Sequence, residues 1–250
     1  MGRRVGAAIA NTKLYERERR IAVELQSASL PQRVPDFPGV RLDAAYLPGG
    51  REASVGGDWY DAFVLADRRL AITVGDVVGH GLTAAVSMTK LRLAMQSAAR
   101  VDPDPNVMLR VADEVIVSRA DRYATAIAAI YDPETQALTY ASAGHPGPVT
   151  RTAQGAVEDS SAPGIMLGLR HGAASETRTI PTPPGTTMVF FTDGLIEVTR
   201  DMDEGYGRLF GALADPELPH AEHPAAALVT TVLGEDEPRD DIAVLVLSFE

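Results

Sequence analysis

The chain has 250 residues, no cysteine and a formal net charge of −11. That length admits one large domain or two small ones, with a sizeable core in either case. The missing cysteine excludes disulfides and thiolate metal sites, the acidic balance leaves a nucleic-acid role without electrostatic support, and no apolar run reaches the roughly 18 residues of a membrane span. Met1 to Ala10 carry two arginines and no apolar stretch of the signal-peptide kind, so a cytoplasmic location is expected.

Residues 7–30 lack glycine and proline and are rich in Arg, Glu, Ala and Leu, which predicts a helix. Leu14, Ile21, Leu25 and Ala28 share one side of it. A single apolar stripe packs either on its own domain or against a partner helix as a coiled coil, which would dimerise the chain. Pro31, Pro35 and Pro38 end the helix, dividing a linker of residues 1–30 from a domain of residues 31–250. Strands are expected at 40–47, 59–65 and 70–77. Helices follow at 82–99, with Met88, Leu91 and Met95 at helical spacing, and at 106–119, capped by Asp104 or Asn106. Strands return at 125–131, 137–143, 149–152, 176–180 and 187–192, then a helix at 225–233 and a strand at 242–249. The partial segregation of strands and helices predicts an α+β domain of layered sheets.

Four segments carry an aspartate at the end of an apolar strand beside a turn former: Val55-Gly56-Gly57-Asp58, Val74-Gly75-Asp76-Val77, Phe191-Thr192-Asp193-Gly194 and Arg239-Asp240-Asp241-Ile242. Taken alone, each reads as a turn. Taken together they suit a hard cation. A carboxylate beside apolar residues is costly unless its charge is compensated, and carboxylates and carbonyls are the ligands of Mg²⁺ and Mn²⁺. No histidine pair has zinc spacing.

The wording around these aspartates extends to Val55-Gly-Gly-Asp-Trp-Tyr-Asp61, Gly75-Asp-Val-Val-Gly-His-Gly81, Ala124-Thr-Ala-Ile-Ala-Ala-Ile-Tyr-Asp132, Ser142-Ala-Gly-His-Pro-Gly-Pro148, Phe190-Phe-Thr-Asp-Gly-Leu-Ile-Glu197 and Asp240-Asp-Ile-Ala-Val-Leu-Val-Leu247. In content and order these stretches resemble the PPM (protein phosphatase 2C-like) metal-dependent phosphatases, in particular their bacterial SpoIIE-like branch, over roughly residues 20 to 250. The resemblance implies a four-layer αββα sandwich of two antiparallel sheets flanked by helices. It implies two Mn²⁺ or Mg²⁺ ions per site. Asp76 would be shared by both, Asp58 and the Val77 carbonyl would complete one, and Asp193 and Asp240 the other, with Asp241 the alternative one residue on. Phosphoserine or phosphothreonine would be hydrolysed by a metal-activated water, a route that needs no cysteine nucleophile.

The phosphate-gripping arginine of eukaryotic members has no matching motif here, although Arg33, Arg41 and Arg51 lie in its region. His80 lies farther from Asp76 than the eukaryotic general-acid histidine does from its aspartate. It either protonates the leaving serine oxygen or holds the Gly79-His80-Gly81 turn. His145 is expected in a turn between strands, Thr125 in the core or supporting a ligand, and Glu197 in solvent or as a cap. One of Trp59 and Tyr60 should enter the core and the other face the metal edge. The branch further implies a phosphorylated anti-anti-sigma (STAS-type) protein as substrate. Residues 8–20 look like the last helix of a GAF/PAS-type sensor domain that would precede this chain. The competing reading is a catalytically silent partner-binding module of the same fold, which the retention of all the metal aspartates disfavours. A phosphohydrolase of small esters or nucleotides is a third, and no P-loop supports it.

Overall fold

The computed structural model describes residues 21, 29–49, 56–117, 123–169, 175–199 and 201–250. The expected N-terminal helix lies almost entirely outside them. In chain order the elements are β1 (Val40–Leu47), β2 (Trp59–Val64), β3 (Leu70–Val77), α1 (Leu82–Val101), α2 (Pro105–Val117), β4 (Ala124–Asp132), β5 (Ala137–Ala143), β6 (Val149–Arg151), β7 (Val157–Asp159), β8 (Thr177–Pro181), β9 (Thr187–Phe191), α3 (Met202–Ala214), α4 (Pro224–Leu233) and β10 (Ile242–Phe249).

Two antiparallel sheets result, one ordered β2-β3-β4-β5-β8 and the other β1-β10-β9-β6-β7. Strand alternation sorts their side chains into three cores. On β4, Ala124, Ala126, Ala128 and Ile130 face α1 and α2, where they meet Met88, Leu91, Met95 and Met108. Ile127, Ala129 and Tyr131 face the other sheet. On β10, Ala243, Leu245, Leu247 and Phe249 join the central core, while Ile242, Val244 and Val246 pack under α3 and α4. All eight residues of β10 are buried, which is why its sequence is apolar without alternation. The layers are therefore helices, sheet, sheet, helices, as the αββα expectation held.

Two elements had not been anticipated. Gly205, Gly207 and Gly211 dilute the helix propensity of α3, which forms on packing and on its cap: the Asp201 carboxylate accepts from the backbone N–H groups of Asp203 and Glu204. β7 is three residues long and largely exposed, too short for a pattern. At α2, Asp104 supplies the cap, accepting from Asn106 N at 2.7 Å.

The topology gathers strand ends at one edge of the sandwich. In the register of β3 with β4, Asp76 lies opposite Thr125 and Val77 opposite Ala124. In the other sheet Leu47 lies opposite Ile242 and Val244 opposite Phe191. The start of β2, the end of β3, the end of β9 and the start of β10 thus deliver residues 58, 76–77, 193 and 240–241 from both sheets.

Candidate metal centre

Asp58 precedes β2 and is 2 % exposed. Its carboxyl lies against the Asp76 carboxyl and the Thr192 hydroxyl. Burial, then the Asp76 charge, push its pKa well up, and Thr192 draws it down. Asp76, half-buried at the end of β3, is raised to about 7 by burial foremost and further by the charges of Asp193, Asp240 and Asp241, against the lowering contact with Asp58. Two carboxyls at this proximity cannot both ionise cheaply. Asp193 opens a turn of 3₁₀-helix. It is raised by burial and by Asp240. Gly57 lets the chain cross the end of β3, since a Cβ there would lie 2.4 Å from the Val77 carbonyl oxygen; Val77 N donates in return to Gly57 O at 3.3 Å.

Asp240 and Asp241 separate clearly. Asp240 is exposed and accepts from Asp241 N at 2.8 Å. Asp241 is buried and, among the described residues, accepts from Gly49 N at Oδ1, 2.8 Å, from Gly56 N at Oδ2, 3.1 Å, and from the Tyr46 hydroxyl at Oδ2. Burial, reinforced by Asp241, Asp58 and Asp240, keeps that hydroxyl protonated. Asp241 therefore anchors the segments around Gly49 and Gly56, and Asp240 presents its carboxylate to solvent.

The donor set fits a divalent cation. It is all oxygen, burial and neighbouring negative charge raise Asp58, Asp76 and Asp193, and Asp58 Oδ2 is buried without a hydrogen-bond partner, a cost that an ion would offset. Among the described residues no three His, Asp or Glu side chains form a ready-made cage. The carboxylates stand as a pair of buried Asp58 with half-buried Asp76 and a more open pair, Asp193 with Asp240, that feel each other's charge.

The other expected residues fall as follows. His80 is exposed on the loop between β3 and α1. Glu197 is exposed near the open pair, raised by burial and then by Asp193 and Asp240. Trp59 enters the helix-side core and Tyr60 the central core, where its hydroxyl donates to Pro31 O at 3.3 Å. Neither faces the metal edge, because both faces of this sheet are covered. Arg41 donates to the carbonyls of Pro219, Ala221 and Glu222 at the end of β1 remote from the aspartates, so it does not grip phosphate. Arg33 leads into Phe37, which packs edge-on to Tyr131 at that same remote end. Arg51 lies outside the described residues.

Two further contacts support this edge from residues distant in sequence. Buried His145 joins Thr125 to Phe191, through Nδ1 to Oγ1 at 2.9 Å and Nε2 to the carbonyl at 3.0 Å. Its neighbours are 20 and 46 residues away in sequence, which no local pattern reveals. Asp61, three residues past Asp58, pairs with Arg92 of α1 at 2.7 Å.

The chain belongs to the SpoIIE (Stage II sporulation protein E) family, whose model matches residues 66–250. The phosphoserine phosphatase RsbU of Bacillus subtilis (strain 168) is 28 % identical over 183 residues, 72 % of this chain and 53 % of RsbU. The chain thus spans about half the length of that relative. Among solved structures, the RsbU and RsbW domains of a Mycobacterium tuberculosis protein superpose with a TM-score of 0.81 at 27 % identity, over 89 % of this chain and 63 % of that one. The catalytic domain of the serine/threonine phosphatase PstP, solved with two manganese ions, shares the fold at 17 % identity and a TM-score of 0.61, over 84 % of this chain and 97 % of that one.

Proposed function

We propose that this chain is a divalent-metal-dependent phosphoprotein phosphatase acting on phosphoserine or phosphothreonine. The observation that carries it is the buried, unpartnered Asp58 Oδ2 beside Asp76, on the edge where Asp193 and Asp240 also arrive. Asp58, Asp76, the Val77 carbonyl, Asp193 and Asp240 would hold the ions, two by likeness to the family. Bound Mn²⁺ or Mg²⁺ would supply an activated water and offset phosphoryl charge. Of the chain's own groups, Asp241 fixes the approach of residues 49 and 56, and Thr192 holds Asp58 by its hydroxyl. His80, exposed four residues past Asp76, is the proposed proton donor to the leaving oxygen. Gly79 and Gly81, both at positive φ, already make the turn around it.

The name of RsbU supports phosphoserine as substrate, and the family reading points to a phosphorylated anti-anti-sigma (STAS-type) protein in a partner-switching pathway. An upstream GAF/PAS-type sensor and a homodimer through the N-terminal helix belong to the same proposal, as does a cytoplasmic location. Among the described residues no helix is long and apolar enough to cross a membrane.

The test is phosphate release from a phosphoserine protein with Mn²⁺, using Asp76→Asn and Asp193→Asn as controls. Manganese-dependent release that both variants abolish is expected. No release from any phosphoprotein would leave a silent binding module, and release from small esters alone would redirect the substrate class.

A further inference from the structure

His145 lies in the turn after β5, 5 % exposed, and its ring hydrogen-bonds to Thr125 and Phe191, neither of them a proposed ligand. Its backbone is pinned: His145 N donates to Ser142 Oγ at 3.0 Å, and that hydroxyl donates back to the His145 carbonyl at 2.8 Å. The ring is therefore held at its root and at both nitrogens. A carbonyl only accepts, so Nε2 carries the proton given to Phe191 O, and Nδ1 accepts from the Thr125 hydroxyl. Burial favours that uncharged form, holding the pKa down at about 4.

The two partners belong to different sheets. Thr125 is the cross-strand neighbour of Asp76. Phe191 is the last residue of β9, two before Asp193. A second tie runs parallel to the ring: Thr192 Oγ1 accepts from Ala243 N at 2.9 Å, and its hydroxyl faces Asp58. A rigid five-membered ring with a hydrogen bond at each end ties the two sheets directionally where the two carboxylate pairs meet, which apolar packing, being non-directional, does not do.

We propose that His145 is a positioning residue: through Thr125 and Phe191 it fixes how far the Asp58–Asp76 pair of one sheet stands from the Asp193–Asp240 pair of the other, and so sets the spacing between two bound cations. The inference rests on the metal-site reading given above. The plain alternative is that His145 only fills space in the core.

The experiment is Mn²⁺ titration by calorimetry together with electron paramagnetic resonance, in which two nearby Mn²⁺ ions give a spin-coupled spectrum that isolated ions do not. The variants are Thr125→Val, which removes one hydrogen bond and leaves the ring in place; His145→Gln, which keeps a donor for Phe191 and loses the acceptor for Thr125; and Thr125→Ser, which keeps the hydroxyl. Wild type and Thr125→Ser should bind two ions with a coupled spectrum. Thr125→Val and His145→Gln should weaken one of the two ions by about 10-fold, the lower end for groups that orient ligands, and change the coupling. Should His145→Gln fail to fold, Thr125→Val carries the test. Folded Thr125→Val that binds both ions as wild type does, with unchanged coupling, overturns the positioning role. A wild type that binds no Mn²⁺ overturns the metal site itself, a distinct result.

Discussion

Arg92→Ala would strip the counter-charge from a buried carboxylate. Asp61 is 3 % exposed, and its bond to Arg92 Nη1 is 2.7 Å. The pair links α1 to β2 just downstream of Asp58. Burial alone raises Asp61 more than Arg92, its main opposing influence, lowers it. Removing one member of a buried pair costs about 3–5 kcal/mol. A chain of 250 residues has an unfolding entropy near ~0.5 kcal/mol/K, so Tm should fall by about 6–10 °C. The cost depends on pH in a stated direction. Without Arg92 the folded-state pKa of Asp61 rises further above its unfolded value. The penalty is then absent below the unfolded pKa, near ~3.9, and grows as pH rises through the folded one. Thermal unfolding by circular dichroism at pH 5 and pH 8, in EDTA, reads this directly: the deficit of Arg92→Ala should be larger at pH 8. Replacing both residues by apolar ones, as in Asp61→Leu with Arg92→Met, should recover most of the loss. A drop below about 2 °C, or a deficit that shrinks with rising pH, would refute the account.

Asp240→Asn and Asp241→Asn should part company. The first removes an exposed charge, leaving Tm in EDTA within about 1 °C while weakening Mn²⁺ binding; the second turns an amide N–H₂ towards one of the donors that now face a carboxylate oxygen and should cost roughly 2–3 kcal/mol, and the reverse pattern by calorimetry and thermal unfolding would make Asp241 the ligand. His145 gives a second pH signature. Its folded pKa, about 4, lies below the unfolded value, so the stability it contributes is present above about pH 6.5 and is lost as pH falls towards 4. The Tm difference between wild type and His145→Gln should therefore narrow between pH 7 and pH 4.5, and parallel curves would count against it.

The sandwich was legible through the family resemblance, and its separate strands through short apolar runs set off by glycine and proline, although β10, buried along its whole length, shows no two-residue period. The aspartates stood out in the sequence because each flanks an apolar strand, though only their order lifted them above ordinary turns, and the structure brings the segments that carry them to one edge. Asp240 and Asp241 were not separable from sequence, since the difference lies in Tyr46, Gly49 and Gly56, nearly two hundred residues away. Trp59 and Tyr60 misled because alternation fixes opposite faces without saying that both are covered. Helix α3 escaped because its glycines argue against a helix that tertiary packing nonetheless forms. His145 was legible as a turn residue, not as a bridge between sheets.

The burial of β10 on both faces has a consequence for slow motions. Its amides are laddered to β1 on one side and β9 on the other, so exchanging them with solvent requires both neighbours to part and two cores to open. Hydrogen–deuterium exchange should find them among the last to label. Asp240 and Asp241 directly precede that strand, so the turn that carries the proposed ligand Asp240 is expected to hang from one of the slowest-opening parts of the molecule.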